Sequence, residues 1–121
     1  MRITTELRDR TKAFGSEIIR IYIALPRTRV EVQILGKQML RAGTSVPATV
    51  REASRSRSDS EFCSKLDHLL QEADETQLWL EYLMEDCHIS LPAIATAHRE
   101  AGELIAIFTT IVLKVRQTLK R

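Results

Sequence analysis

The sequence is short of the residues that punctuate a chain. It has four glycines, three prolines and two cysteines in 121 positions. A β-sandwich or barrel needs more turn residues than this, and a glycine-rich phosphate loop has almost nothing to be built from. Cys63 and Cys87 are too few for a disulfide scaffold. Long apolar runs are missing too. The longest, Leu104 to Leu113, is ten residues and includes Thr109 and Thr110, against the roughly 20 that a membrane span requires. Met1 to Lys12 is charged and lacks the apolar core of a secretory signal. These absences lead us to expect a reduced, cytoplasmic protein with no membrane association and no cofactor. What is present suits one globular domain over residues 1–121: 44% hydrophobic and 28% charged residues. At this size the area scaling gives about 6,600 Å² exposed when folded against about 20,000 Å² unfolded. A core can form without disulfides or metals.

The apolar residues recur at helical steps of three, four and seven. From about Thr5 to Leu25 they are Leu7, Phe14, Ile18, Ile21, Tyr22 and Leu25. From about Thr28 to Ser54 they are Val32, Leu35, Met39, Ala42, Val46 and Val50, and Pro47 interrupts this stripe without shifting its phase. A proline there removes one backbone hydrogen bond and crowds the carbonyl at Gly43, so the spacing predicts a helix kinked near Pro47 that continues beyond it. Pro26 and Pro92 each end a helix or sit in the first turn of the next. A third segment opens at Ser58-Asp59-Ser60-Glu61, with capping-box spacing, and carries Phe62, Leu66, Leu69, Ala73, Thr76, Leu80 and Leu83. The fourth opens at Ser90 and carries Ile94, Ala97, Ala101, Leu104, Phe108, Ile111, Val115 and Leu119. Four long amphipathic helices with short connections predict an all-α, antiparallel up-down-up-down four-helix bundle.

The net charge of +2 hides an asymmetry. Met1 to Arg57 carries +7, Ser58 to Glu103 carries −9, and Leu104 to Arg121 carries +4. Either these fields cancel within one bundle, or an acidic flank of one subunit meets a basic flank of the next. The second contact is heterologous and closes into a ring if its rotation allows.

The most specific local feature is the basic turn Arg51-Glu52-Ala53-Ser54-Arg55-Ser56-Arg57-Ser58. Guanidiniums bind phosphates in bidentate fashion, serine hydroxyls add donors, and a helix start offers free amides to an anion. With Arg41 upstream and Lys65 two turns into the third helix, the candidate nucleic-acid-binding set is Arg41, Arg51, Arg55, Arg57 and Lys65. The competing reading is a solvated loop whose arginines cap a helix C-terminus. No aromatics are interleaved here, so base stacking has no support. Arg41, Glu52 and Arg55 lie on one helical row with Ser45 and Ala48, which suggests a structural ion-pair network around Glu52.

Catalytic and metal signatures are weak. No CxxC or HxxxH pair exists, and Glu85-x-x-His88 is a single partial match to the paired motif of di-iron bundles. His68, Cys63 and Cys87 do not complete a metal site. There is no G-x-S-x-G turn, and Cys63 and His68 are five apart, off a common helical face. No enzyme is expected. Glu72, Asp74 and Glu75 read as a solvated face and partner surface, and Trp79 with Tyr82 as core edge or oligomer contact.

Two blocks carry a family resemblance. Ala42-Gly43-Thr44-Ser45-Val46-Pro47-Ala48-Thr49-Val50-Arg51-Glu52-Ala53 leads into Ser58-Asp59-Ser60-Glu61-Phe62-Cys63-Ser64-Lys65-Leu66, and Glu72-Ala73-Asp74-Glu75-Thr76-Gln77-Leu78-Trp79-Leu80-Glu81 follows. Together they closely resemble the bacterial four helix bundle proteins, also called 23S rRNA-intervening sequence proteins, over roughly Leu7 to Leu119. The family name reflects genes found within insertions in ribosomal RNA genes. The resemblance implies a homopentameric ring. It also implies kinship to accessory proteins of diversity-generating retroelements, basic pentamers that bind RNA or DNA and a partner protein, a reverse transcriptase. Arg41, Arg51, Glu52 and Lys65 match positions of the family pattern. Many relatives have a small or polar pair where this chain has Pro47-Ala48, and the retroelement relatives lack so acidic a middle segment.

Overall fold

Four helices, α1 (Thr5–Ala24), α2 (Val30–Ser54), α3 (Asp59–Glu81) and α4 (Pro92–Leu119), account for most of the computed structural model, which describes residues 3–120. Each helix packs against the next, and α4 returns to α1 along a shorter stretch. This is the up-down-up-down bundle that the apolar stripes predict, and no strand occurs among the described residues. The exposed surface is 7168 Å², slightly above the scaling value because long rods expose more area than a sphere.

Side chains close the helix ends where the sequence supplies them. Thr4 Oγ1 accepts from the Leu7 N–H at 3.1 Å. Ser58 Oγ accepts from the Glu61 N–H at 3.0 Å and starts α3. The Glu61 carboxylate reaches back one residue further than a capping box requires, to the Arg57 N–H at 3.2 Å. Pro92 occupies the first turn of α4, where its missing N–H costs nothing.

The end of α3 departs from a regular helix. Tyr82–Asp86 forms a π-helical turn, with the Cys87 N–H donating to the Tyr82 carbonyl at 3.0 Å. His88 then adopts φ 57°, the left-handed conformation that stops a helix. The Ile89 N–H closes this stop on the Leu83 carbonyl at 3.0 Å. From the α1–α2 connection, Arg29 Nη1 donates to the Cys87 carbonyl at 2.8 Å. His88 is therefore exposed and outside any helix, while Cys87 is buried.

One hydrophobic core runs the length of the bundle, including Phe14, Ile18, Val32, Met39, Leu66, Leu69, Leu80, Leu104 and Phe108. The α3 positions expected from the sequence are all buried, Thr76 included. In α4 the stripe changes step: Val112 is buried in place of Ile111, and Leu119 is half exposed. The step from Phe108 is four residues, not three, which keeps the stripe nearer the 3.6-residue period as α4 extends.

Glycines bring α1 and α2 into close contact. Gly15 faces the ring of Pro47, and a methyl group placed on Gly15 would lie 3.1 Å from Pro47 Cγ. A methyl on Gly43 would lie 2.8 Å from both Cγ1 and Cγ2 of Ile18. α2 passes through Pro47 as one helix. Gly36 is also crowded, at 2.8 Å by the terminal Cδ1 of Leu25 and at 3.3 Å by the Tyr22 ring. Leu25 has freedom to move that end, whereas the β-branched Ile18 is stiff at χ1. We expect Gly43→Ala to destabilise the fold by about 1–2 kcal/mol through overpacking. Gly36→Ala should be near neutral, because the roughly 0.8–1 kcal/mol gain in helix propensity offsets a smaller repacking cost. Urea unfolding of both variants checks the difference; equal effects would contradict it.

Candidate functional site

The basic turn sits at one end of the bundle, where α2 stops and α3 begins. α2 ends at Ser54, Arg55 leaves helical geometry with φ −105° and ψ 12°, and α3 starts four residues later. Arg51, Arg55 and Arg57 are all exposed, the Arg57 side chain at 92%. Arg51 lies in the last turn of α2, where a cation complements the helix dipole.

The serines and the helix start offer less to an anion than the sequence suggests. Ser54 Oγ donates back to the Val50 carbonyl at 2.9 Å, and Ser58 Oγ is taken by the cap. Ser56 Oγ is buried without a hydrogen-bond partner. Asp59 and Glu61 occupy the first turn of α3, so its positive dipole end already faces carboxylates. Any ligand at this turn is therefore a ligand of guanidiniums rather than of a helix N-terminus.

The five candidate cations do not form one cluster. Lys65 Nζ donates to Glu52 Oε1 at 3.0 Å across the α2–α3 seam. Arg41 stands 3.8 Å from Glu72 Oε2 and 3.8 Å from Glu75 Oε2, further along the same seam. Arg57 Nε lies 3.8 Å from Glu61. Among the described ion pairs, Arg51 and Arg55 have none. The network expected around Glu52 with Arg41 and Arg55 is replaced by pairing between helices. Arg41 and Glu52 are eleven residues apart, about 16 Å along a helix, and Arg55 is no longer helical. The row shares a face, but Arg41 stands too far from Glu52 to touch it.

Much of the charge asymmetry cancels inside one bundle. Besides the α2–α3 pairs, Arg116 donates to Asp67, and His98 Nε2 meets Glu81 Oε2 at 2.8 Å. Between α1 and α4, Arg10 donates through Nε and Nη2 to the two oxygens of Glu100, both at 2.7 Å. This fork clasps the first helix to the last, and the Glu100 hydrogen bond raises the Arg10 pKa above its ordinary value. Beside the clasp lies a shallow cleft of about 410 Å³ with Phe14 and Ala97 in its wall.

Glu72, expected on a solvated face and partner surface, is 93% buried. Its Oε2 has no hydrogen bond, and Trp79 Nε1, seven residues on along the same face of α3, has none either. His68 Nε2 stands 3.7 Å from Glu72 Oε1. The signal was available in part: Glu72 falls between the core positions Leu69 and Ala73, at the edge of the stripe. No group of three or more histidine, cysteine or acidic residues is placed to hold a metal ion among the described residues, and none of the described helices is long and apolar enough to cross a membrane.

No curated protein matches the chain. A solved structure of a protein of unknown function from the S23 ribosomal protein family of Bacteroides thetaiotaomicron is similar, with 30% sequence identity and a TM-score of 0.77. The similarity covers 87% of this chain and 96% of that one. Residues 4–110, which include the basic turn and the whole α2–α3 seam, match the model of the 23S rRNA-intervening sequence proteins. The chain belongs to the 23S rRNA-intervening sequence protein family.

Proposed function

We propose that this protein is a non-enzymatic, homo-oligomeric four-helix bundle that binds RNA or DNA through its basic turn. The observation that carries the nucleic-acid reading is that Arg51 and Arg55 are exposed and have no carboxylate partner among the described residues, while the neighbouring Glu52 is held by Lys65. Guanidiniums without a carboxylate partner attract phosphates. With no aromatic beside them, they read backbone charge rather than bases, so binding is independent of sequence and falls steeply with salt. Fluorescence anisotropy with a short RNA duplex should show binding at about 50 mM salt that weakens at least tenfold by about 200 mM. Replacing Arg51, Arg55 and Arg57 together by Ala should weaken low-salt binding at least tenfold. Absence of binding at low salt, or unchanged affinity in the triple variant, would overturn the reading.

The oligomer, a pentamer by family resemblance, has support of its own on α3. Glu72 Oε2 and Trp79 Nε1 are buried without a hydrogen bond, and Leu78 on α3, Tyr82 in the π turn and Ile34 on α2 are exposed large hydrophobics. A surface with apolar side chains and polar atoms without hydrogen bonds is one that a second molecule completes. Such an assembly serves equally as a scaffold for a partner protein, and this reading stands if nucleic acid is not bound. Light scattering at micromolar concentration should give a mass close to five times the 13.8 kDa chain, and a monomer would remove the oligomer from the proposal.

A further inference from the structure

The glycine contacts between α1 and α2 fix the register of two antiparallel helices. Gly15 faces Pro47, and Ile18 faces Gly43. Four residues beyond Pro47 is Arg51, and four residues before Gly15 is the buried Thr11, flanked on α1 by Arg8 and Lys12. Seven residues beyond Pro47 is Ser54, level with Arg8. The basic end of α2 therefore lies alongside the first half of α1, which carries Arg8, Arg10 and Lys12 against Glu6 and Asp9.

Helical phase puts these cations on one shoulder of the seam. Arg8 is seven residues from Gly15 and Lys12 three; Arg51 is four from Pro47, and Arg55 follows the last residue of α2. At 3.6 residues per turn, Arg8, Lys12 and Arg51 stay within about 60° of the contact. All four are exposed, and none has an ion pair among the described residues. Two of the acids that neighbour them in sequence act on other cations, and Asp9 stays beside Lys12. Glu6 acts on Arg10, on the side facing α4. Glu52 is bonded to Lys65 on α3. Asp9 borders a shallow hollow with Lys12 and Arg20 but forms no described ion pair.

We infer that the nucleic-acid interface is not a single turn but a two-helix surface, in which Arg8 and Lys12 of α1 join Arg51 and Arg55 of α2 to hold one stretch of phosphate backbone. The inference rests on the proposed nucleic-acid reading and extends it to a helix that no family motif in this sequence marks. Four unpaired cations at a spacing of about 6 Å along each helix repel one another in the free protein and are relieved by a polyanion. A purely structural role would instead predict that removing these cations lowers stability and leaves binding unchanged.

The test uses the full chain and a fluorescent RNA duplex over a salt series. R8Q/K12Q and R51Q/R55Q are compared with the unmodified protein and with the conservative R8K/K12R. Each glutamine pair should weaken low-salt binding at least tenfold and lower the slope of log affinity against log salt by about 1.8, two phosphate contacts' worth on a duplex. R8K/K12R should retain the original slope, and thermal unfolding should show every variant still folded at the binding temperature. If R8Q/K12Q binds like the unmodified protein while R51Q/R55Q is weakened, the α1 extension is wrong and the basic-turn reading stands. If the unmodified protein does not bind at low salt, the reading and its extension both fall.

Discussion

The close approach of α1 and α2 is the constraint on which the rest of the molecule depends. Gly43 leaves room for Ile18, and Gly15 leaves room for the Pro47 ring. Neither helix can slide along the other without driving a side chain into backbone. That lock sets which residues of α1 stand beside which residues of α2, and so places Arg8 and Lys12 next to the basic end of α2. A chain with few glycines has placed two of its four at this contact. Their scarcity excludes a phosphate loop, and their position explains what they do instead.

The fold was largely legible in the sequence because helical periodicity is local. The α3 stripe and the Ser58 cap could be read directly, since each depends on residues within one or two turns. Legibility fails where geometry is tertiary or irregular. Ile111 and Val112 are both apolar, and only the packing of a 28-residue helix decides between them. The π turn at Tyr82–Asp86 has no residue pattern that distinguishes it from regular helix. The ion pairs show the same division. A row on one helix face suggested Arg41, Glu52 and Arg55 as partners, but charges pair across the seam with whatever the neighbouring helix offers. Arg8 and Lys12 could not join the site on sequence grounds, because the register that brings them there exists only after folding.

The pairing also changes the meaning of the charge blocks. The acidic middle segment is not an unopposed field. Glu72, Glu75, Asp67 and Glu100 each face an arginine of the same chain, and Glu81 meets His98. Exposed pairs of this kind contribute little stability, typically below about 1 kcal/mol each. Their larger effect is subtractive: they remove the acids that would otherwise neutralise the α1–α2 shoulder. Glu72 is the exception, since burial without a hydrogen bond leaves one oxygen unsatisfied.

The carboxylate of Glu61 has a consequence beyond starting α3. By accepting the Arg57 N–H, it ties the backbone of the connecting turn to the first turn of the helix, while the Arg57 side chain stays almost fully in water. The main chain of the turn has thus lost its freedom during folding. A partner arriving at the turn has only arginine side chains to immobilise, at about 0.5–1.5 kcal/mol of entropy each. The turn is preorganised: its flexibility is confined to the groups that make contact, and the cost of ordering the loop has been met before any encounter.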